Sequence, residues 1–470
     1  MRSKTLAFVA LGAVGACHGP SAAPDDTDIA HGTYDVPQHP FLASNGASNI
    51  HDDGYMTDTY AWAGPTDLAA QQVVRASLGG ECASVTFDAA GHLITVCISV
   101  TGSKELVSLD PHTLERVATF ALPSGPGGTG FSGGGYFALD HQGRAVIPTS
   151  DGRVLTVALD ESGGSFTLAS ELDLYADAVG EPLVADDGGI ESVLPDWSGR
   201  LWFVTEAGAV GYVNPATALA KVLRLDGEAI GNSFAVDETG GVFVVSDHAL
   251  YRFDVETDGA ITTTWREAYD RGTQLKSGQV NFGSGTTPTL LDDDLIAITD
   301  NAEPRMNVLV YDRRPDASAP RLRCQVPVFD DGASATDNSL IGFERSFVVE
   351  NNAGYGALTD VAGEGVTHRG ISRVIVGESD CAVSWTAPIA APSVVPKFSY
   401  ATRLVYTYEK RAAGWDVVAL DADDGAERSR AQVGAAFDAN NNWAPVTIAR
   451  DGTLYVGTVL GLSALVEAAP

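Results

Sequence analysis

Basic residues are scarce in this 470-residue chain: 29 Lys and Arg stand against 61 Asp and Glu, for a formal net charge of −32. A nucleic-acid binder needs a basic stripe to displace counterions from phosphate, so the composition excludes that class. The same deficit disfavours adhesion to an anionic membrane surface. Long apolar runs are also lacking. Past the N-terminus no segment holds eighteen uninterrupted apolar residues, so no transmembrane helix is expected. Sustained helical periodicity is missing; only 66–76 offers a helical turn or two. There is no metalloprotease motif and no zinc-type Cys/His spacing. The Gly-rich stretches 125–135 and 282–288 open no helix, so neither is a phosphate loop. Ser284 lacks the strand–turn–helix setting of a nucleophile elbow.

What is present is material for a large core and many turns. Hydrophobic residues make up 44% of the chain, and 51 glycines are scattered without a three-residue period. This is neither a disordered nor a collagen-like composition. The acidity has two readings. It keeps a soluble surface self-repelling, or it marks a preference for cations such as Ca²⁺ or for cationic ligands.

One form recurs: an apolar run, Asp, two residues, Gly and a second apolar run. It stands at Val85–Phe87/Asp88/Gly91, Tyr136–Leu139/Asp140/Gly143, Ser192–Pro195/Asp196/Gly199 and Ser233–Val236/Asp237/Gly240. Short runs rich in Val, Phe, Ile and Leu are strands. Asp caps the turn and Gly takes its positive φ, so each copy is a hairpin. A third strand ending near an Asp follows, as at Asp110, Asp160, Asp254, Asp312 and Asp421, and often a fourth, as from Arg116 to Leu122. Degraded copies begin near Thr289, Ser339, Lys397 and Pro445. From Asp88 to Asp451 seven steps span 363 residues, the spacing of a four-stranded propeller blade. The expected fold is therefore all-β: a single β-propeller of about eight four-stranded blades, with seven and one long insertion as the alternative. The last unit is short, so an N-terminal strand near Val73 to Leu78 is expected to complete it and close the ring.

The first residues read as an address. A short basic start, Met1 to Lys4, precedes an apolar stretch from Thr5 to Ala16, the pattern of a secretory signal peptide. Val14-Gly15-Ala16-Cys17 resembles the lipobox of bacterial lipoproteins, with Val in place of the commoner Leu, which implies lipidation at Cys17. The alternative is an ordinary signal peptide cut near Ala16 or Ala23. The expected organisation is a signal segment over 1–17, a flexible tether over 18–40, an N-terminal arm over 41–80 and the propeller over 81–470. Cys17 is the odd one of five cysteines, and the other four suit an oxidising compartment. Folding the hairpin about Ala89 and Ala90 sets Cys82 opposite Cys97. Cys324 and Cys381 then form a second bridge between adjacent units.

From about residue 80 onward the units resemble quinoprotein-like propellers and, less closely, the senescence-marker/gluconolactonase group. Leu109-Asp110-Pro111-x-Thr113 and Ala419-Leu420-Asp421-Ala422-x-x-Gly425 are similar to the quinoprotein blade edge. They lack its downstream Trp, and no vicinal Cys pair or pattern for holding pyrroloquinoline quinone is present. The gluconolactonase-like group implies one divalent cation at the channel mouth, held by Glu, Asn and Asp oxygens. On that resemblance Glu191, Asn232 and Asn338, before three innermost strands, and Asp300 and Asn301, after a second strand, are the candidate Ca²⁺ ligands. Asn and Asp also cap turns at such positions.

The segment from His51 to Tyr60 mixes acids, a His and aromatics. It is either a strap that lends His51, Asp52 and Asp58 to a site, or a structural arm whose aromatics pack on blade edges. Three functions remain open. The first is an exported, lipid-anchored, monomeric binding or scaffold propeller for a protein or small-molecule partner. The second is a Ca²⁺-dependent lactonase or esterase. The third is a quinone-dependent oxidoreductase.

Overall fold

The Asp-x-x-Gly spacing folds as a hairpin turn in all four clear copies. Asp88 Oδ1 accepts from the amides of Ala90 and His92, each at 2.9 Å, while Gly91 takes φ 88°. Asp140, Asp196 and Asp237 accept the same pair of amides in their own turns. The last copy shows why the repeat fades. There Ala449 takes the place of the capping Asp, although Gly452 still turns at φ 87°.

The computed structural model describes residues 32–99, 101–123, 133–291, 294–317, 320–356, 367–378 and 380–468. The signal segment, Cys17, the first part of the tether and most of the Gly-rich stretch 125–135 lie outside these residues. The strands form eight sheets, six of four strands and two of five. In chain order the blades begin with the innermost strands Gly80–Phe87, Ala138–Leu139, Ile190–Pro195, Ala235–Val236, Thr289–Leu291, Ile341–Phe343, Lys397–Ser399 and Val446–Ile448. We number these blades 1 to 8. The chain is an all-β, eight-bladed propeller.

Ring closure follows the expected route. Gln71–Ser77 pairs antiparallel with the C-terminal strand Gly461–Glu467 and supplies the outermost strand of blade 8. The helical content expected over 66–76 shrinks to one 3-10 turn, Leu68–Ala70, because the rest of that segment is claimed by this pairing. Two short parallel strands add to blade edges: Thr59–Tyr60 inside blade 7 and Val179–Gly180 outside blade 3.

Inner strands such as Val242–Val245 are buried along their whole length, since neighbouring blades cover both faces. Outer strands such as Arg116–Ala121 keep exposed residues. Both bridges form. Cys82 does pair with Cys97, but the turn centres on Ala90, and a bulge between Cys82 and Val85 restores the register. Cys324 and Cys381 tie the outermost strands of blades 5 and 6. Two such bridges point to an extracytoplasmic location. Among the described residues no helix is long and apolar enough to cross a membrane.

Candidate functional site

The arm threads the ring from inside. Its carbonyls are taken in turn by the innermost strands: Gly54 by Val236, Tyr55 by Leu290, Thr57 by Gly342, Asp58 by Phe398 and Tyr60 by Tyr400, at 2.9–3.1 Å. Earlier, Leu139 donates to Ser48 and Ala43 donates back to Leu139. Stepping from blade to blade demands sharp turns. Asp52, Met56 and Asp58 all lie at positive φ, between 56° and 76°, a costly conformation that Asp tolerates better than Met.

The polar side chains of the arm converge beneath the channel. Lys397, the first residue of blade 7, is fully buried. It donates to Asp58 Oδ1 at 2.6 Å, to Asp52 Oδ2 at 2.9 Å and to the Ile50 carbonyl at 2.6 Å. Burial opposes its charge, yet the two carboxylates hold its pKa above the usual lysine value. Asp52 is pushed up to about 8, by burial first and by Asp58 second, with Lys397 pulling the other way. His51 Nδ1 lies 3.1 Å from Asp58 Oδ1, and its Nε2 faces Ser339 Oγ at 3.4 Å. The strap thus brings His51, Asp52 and Asp58 together, around a lysine that sequence reasoning had placed only as the start of a unit.

Above the arm, where the innermost strands begin, a cavity of about 540 Å³ opens at the channel mouth. Glu191, Glu206, Asp247 and Asp337 line it, with Asn232, Asn281 and Asn442 and the rings of Tyr136, Phe282 and Trp443. Among the described residues no Lys, Arg or His lines it. Asp247 is paired from outside by Arg271. Glu191 is buried. Burial, then the nearby Glu206 charge, lifts its pKa far above the carboxylate range; Lys104 acts in the opposite sense through space. Asp337 accepts from the Val280 amide at 2.8 Å through Oδ2, while its buried Oδ1 has no partner. Burial pushes Asp337 up to about 8. A smaller recess continues the cavity toward the arm, shared through Tyr136, Asn232, Asp337 and Trp443 and reaching His51, Asn338 and Ser339.

Three of the five expected Ca²⁺ ligands meet here. Glu191 and Asn232 line the cavity, and Asn338 lies in the recess. Asn338 anchors itself by donating to Glu350 and to the Val394 carbonyl, which leaves its buried Oδ1 unpartnered. Asp300 and Asn301 do not join them. Asp300 caps its own turn by accepting from Asn307, and Asn301 donates to the carbonyls of Arg271 and Gln274. Among the described residues no three His, Cys, Asp or Glu side chains converge as a metal-binding set. The lining does not fit a tricarboxylate quinone: among the described residues no Lys, Arg or His lines the mouth to meet its carboxylates.

Asp337, Ser339, Tyr136 and Trp443 escaped the sequence reading as site residues. Asp337 adjoins the nominated Asn338, so its position before an innermost strand was the available signal.

No family model matches the sequence. An uncharacterized protein of Archaeoglobus fulgidus is 27% identical over 321 residues, covering 61% of this chain and 63% of that protein. The chain thus spans under two thirds of that relative's length. Two solved structures share the architecture. A quinohemoprotein alcohol dehydrogenase from Comamonas testosteroni aligns with a TM-score of 0.56 at 12% identity, covering 91% of this chain and 82% of that one. A europium-containing methanol dehydrogenase aligns at 0.57 and 8% identity, covering 91% and 98%. At these identities the likeness is one of fold.

Proposed function

We propose that the protein is an exported binding propeller that takes a small organic cation at the mouth of its channel. One observation carries this reading. The cavity presents Glu191, Glu206 and Asp337 beside three aromatic rings, and among the described residues no Lys, Arg or His lines it. The ionised form of a buried carboxyl such as Glu191 or Asp337 is costly, and an ammonium ligand relieves that cost. Tyr136, Phe282 and Trp443 suit the alkyl and charged parts of such a ligand through cation–π contact. The lipobox-like run ending at Cys17 supports a lipid anchor.

A second reading is a Ca²⁺ site of lactonase type. It is favoured by the meeting of Glu191 and Asn232 and by the unpartnered Asn338 Oδ1. Thermal melting with putrescine, spermidine, choline, Ca²⁺ and citrate separates the two. Stabilisation by the amines, abolished in Glu191→Gln/Asp337→Asn, supports the first. Stabilisation by Ca²⁺ alone, lost in Asn338→Ala, supports the second. No shift with any of them refutes both.

A further inference from the structure

The recess at the floor of the cavity holds a serine, a histidine and an aspartate in the order that acyl transfer requires. Ser339 stands two residues before the innermost strand of blade 6 and lines the recess. Its Oγ is 3.4 Å from His51 Nε2, a separation that such pairs show before substrate tightens them. On the other side of the ring, His51 Nδ1 is shared between the two oxygens of Asp58 at 3.1 and 3.2 Å. Asp58 is itself held by Lys397. The Nδ1 proton is therefore committed to Asp58, and the Nε2 lone pair faces the serine hydroxyl. The arm supplies His51 and Asp58, and blade 6 supplies Ser339, 288 residues away from His51. Asp58 reaches its position through a positive φ of 56°.

We propose that Ser339, His51 and Asp58 form a nucleophile, base and orienting carboxylate that hydrolyse small carboxylic esters. Ser339 Oγ bonds to the ester carbonyl carbon while its proton passes to His51 Nε2. Collapse of the tetrahedral adduct breaks the ester C–O bond, and the departing alkoxide takes that proton and leaves as the alcohol. Water then attacks the acyl-serine and gives a proton to His51. The Ser339–acyl bond breaks, the proton returns to Oγ, and the carboxylic acid is released. Asn232 and Trp443 line the same recess, and their side-chain N–H groups are the donors that would meet the oxyanion. The recess measures only about 30 Å³, which limits the acyl group to a short chain, while the leaving alcohol opens into the larger cavity. The inference stands apart from the ligand reading above, because the serine, histidine and aspartate geometry is the same whichever cation the mouth takes.

The test is covalent labelling with phenylmethylsulfonyl fluoride, read by intact mass and peptide mapping, alongside hydrolysis of the neutral ester p-nitrophenyl acetate. The expected result is one adduct on Ser339 in the wild-type chain, with no adduct and no ester hydrolysis above background in Ser339→Ala. His51→Gln should label at least about 100-fold more slowly. Ser284→Ala, at a serine whose hydroxyl meets Thr286, should label as wild type. An unlabelled wild-type chain, or an adduct on any other residue, overturns the proposal without calling on any variant to fold. So does equal ester hydrolysis by wild type and Ser339→Ala. Failure of amine binding leaves it standing.

Discussion

Replacing Lys397 by Met removes the lysine cation from the knot that fastens the arm, at nearly constant volume. Three acceptors lose their donor at once: Asp58, Asp52 and the Ile50 carbonyl. Both carboxyls are almost wholly buried, at 3% and 0% relative exposure. Breaking a buried ion pair from one side costs about 3–5 kcal/mol. Unfolding entropy near 2 cal/mol/K per residue converts that to a Tm loss of roughly 3–5 °C for a chain of this length. The cost depends on pH. Asp52 already sits near 8, so protonation relieves part of the strain below that value and less of it above. Guanidinium melts of Lys397→Met should therefore show a larger deficit at pH 8.5 than at pH 6. Adding Asp52→Asn to Lys397→Met should recover about 1–3 kcal/mol, the coupling expected of contacting charges. A deficit below about 1 kcal/mol at both pH values, or no recovery in the double variant, refutes this account of the arm.

Other consequences follow from the same charge arrangement. Asp52, Glu81 and Asp337 lie at about 8 in the folded chain because burial disfavours their charged forms. The folded state then holds protons that the unfolded chain has released, so their contribution is complete at acid pH and is lost as pH rises to 8. Tm should fall between pH 6.5 and 8, at up to about 1.4 kcal/mol per unit for each group; a rise contradicts the assignment. That window avoids His39, which burial holds down to about 4 and which works in the opposite sense below 6.5. Asp237 pairs with Arg252 and Arg313, all three buried between blades 4 and 5. Asp237→Ala should cost about 3–5 kcal/mol in denaturant melts, and a loss under about 1 kcal/mol contradicts that role. The bridge between blades 5 and 6 spans 57 residues and that within blade 1 spans 15. Chain entropy gives about 4 and 3 kcal/mol respectively, so Cys324→Ala/Cys381→Ala should melt lower than Cys82→Ala/Cys97→Ala.

The architecture was legible because its signals are local. An Asp that caps and a Gly that turns recur at a fixed offset between apolar runs, and both can be read from neighbouring residues. Ring closure was legible because the last unit is one strand short. The site was legible only in fragments. Glu191, Asn232 and Asn338 were nominated by their place before innermost strands, and the ring does bring them to one end of the channel. Asp300 and Asn301 were nominated by their place after a second strand, yet local turns and carbonyls take up their polar groups. The cluster of His51, Asp58, Lys397 and Ser339 joins positions more than 280 residues apart. No spacing rule connects an arm to two later blades. A lysine opening a buried strand in a lysine-poor chain, set against an acidic arm, was the one available hint.

The most direct test of the proposed binding site is calorimetry of putrescine binding at pH 7, run in buffers of low and high ionisation enthalpy. Burial pushes Asp337 up to about 8, so at pH 7 a cation that pairs with it displaces its proton. The account predicts saturable binding with release of about one proton per ligand, lost in Glu191→Gln/Asp337→Asn. Binding whose heat is independent of buffer, or no binding at all, contradicts it.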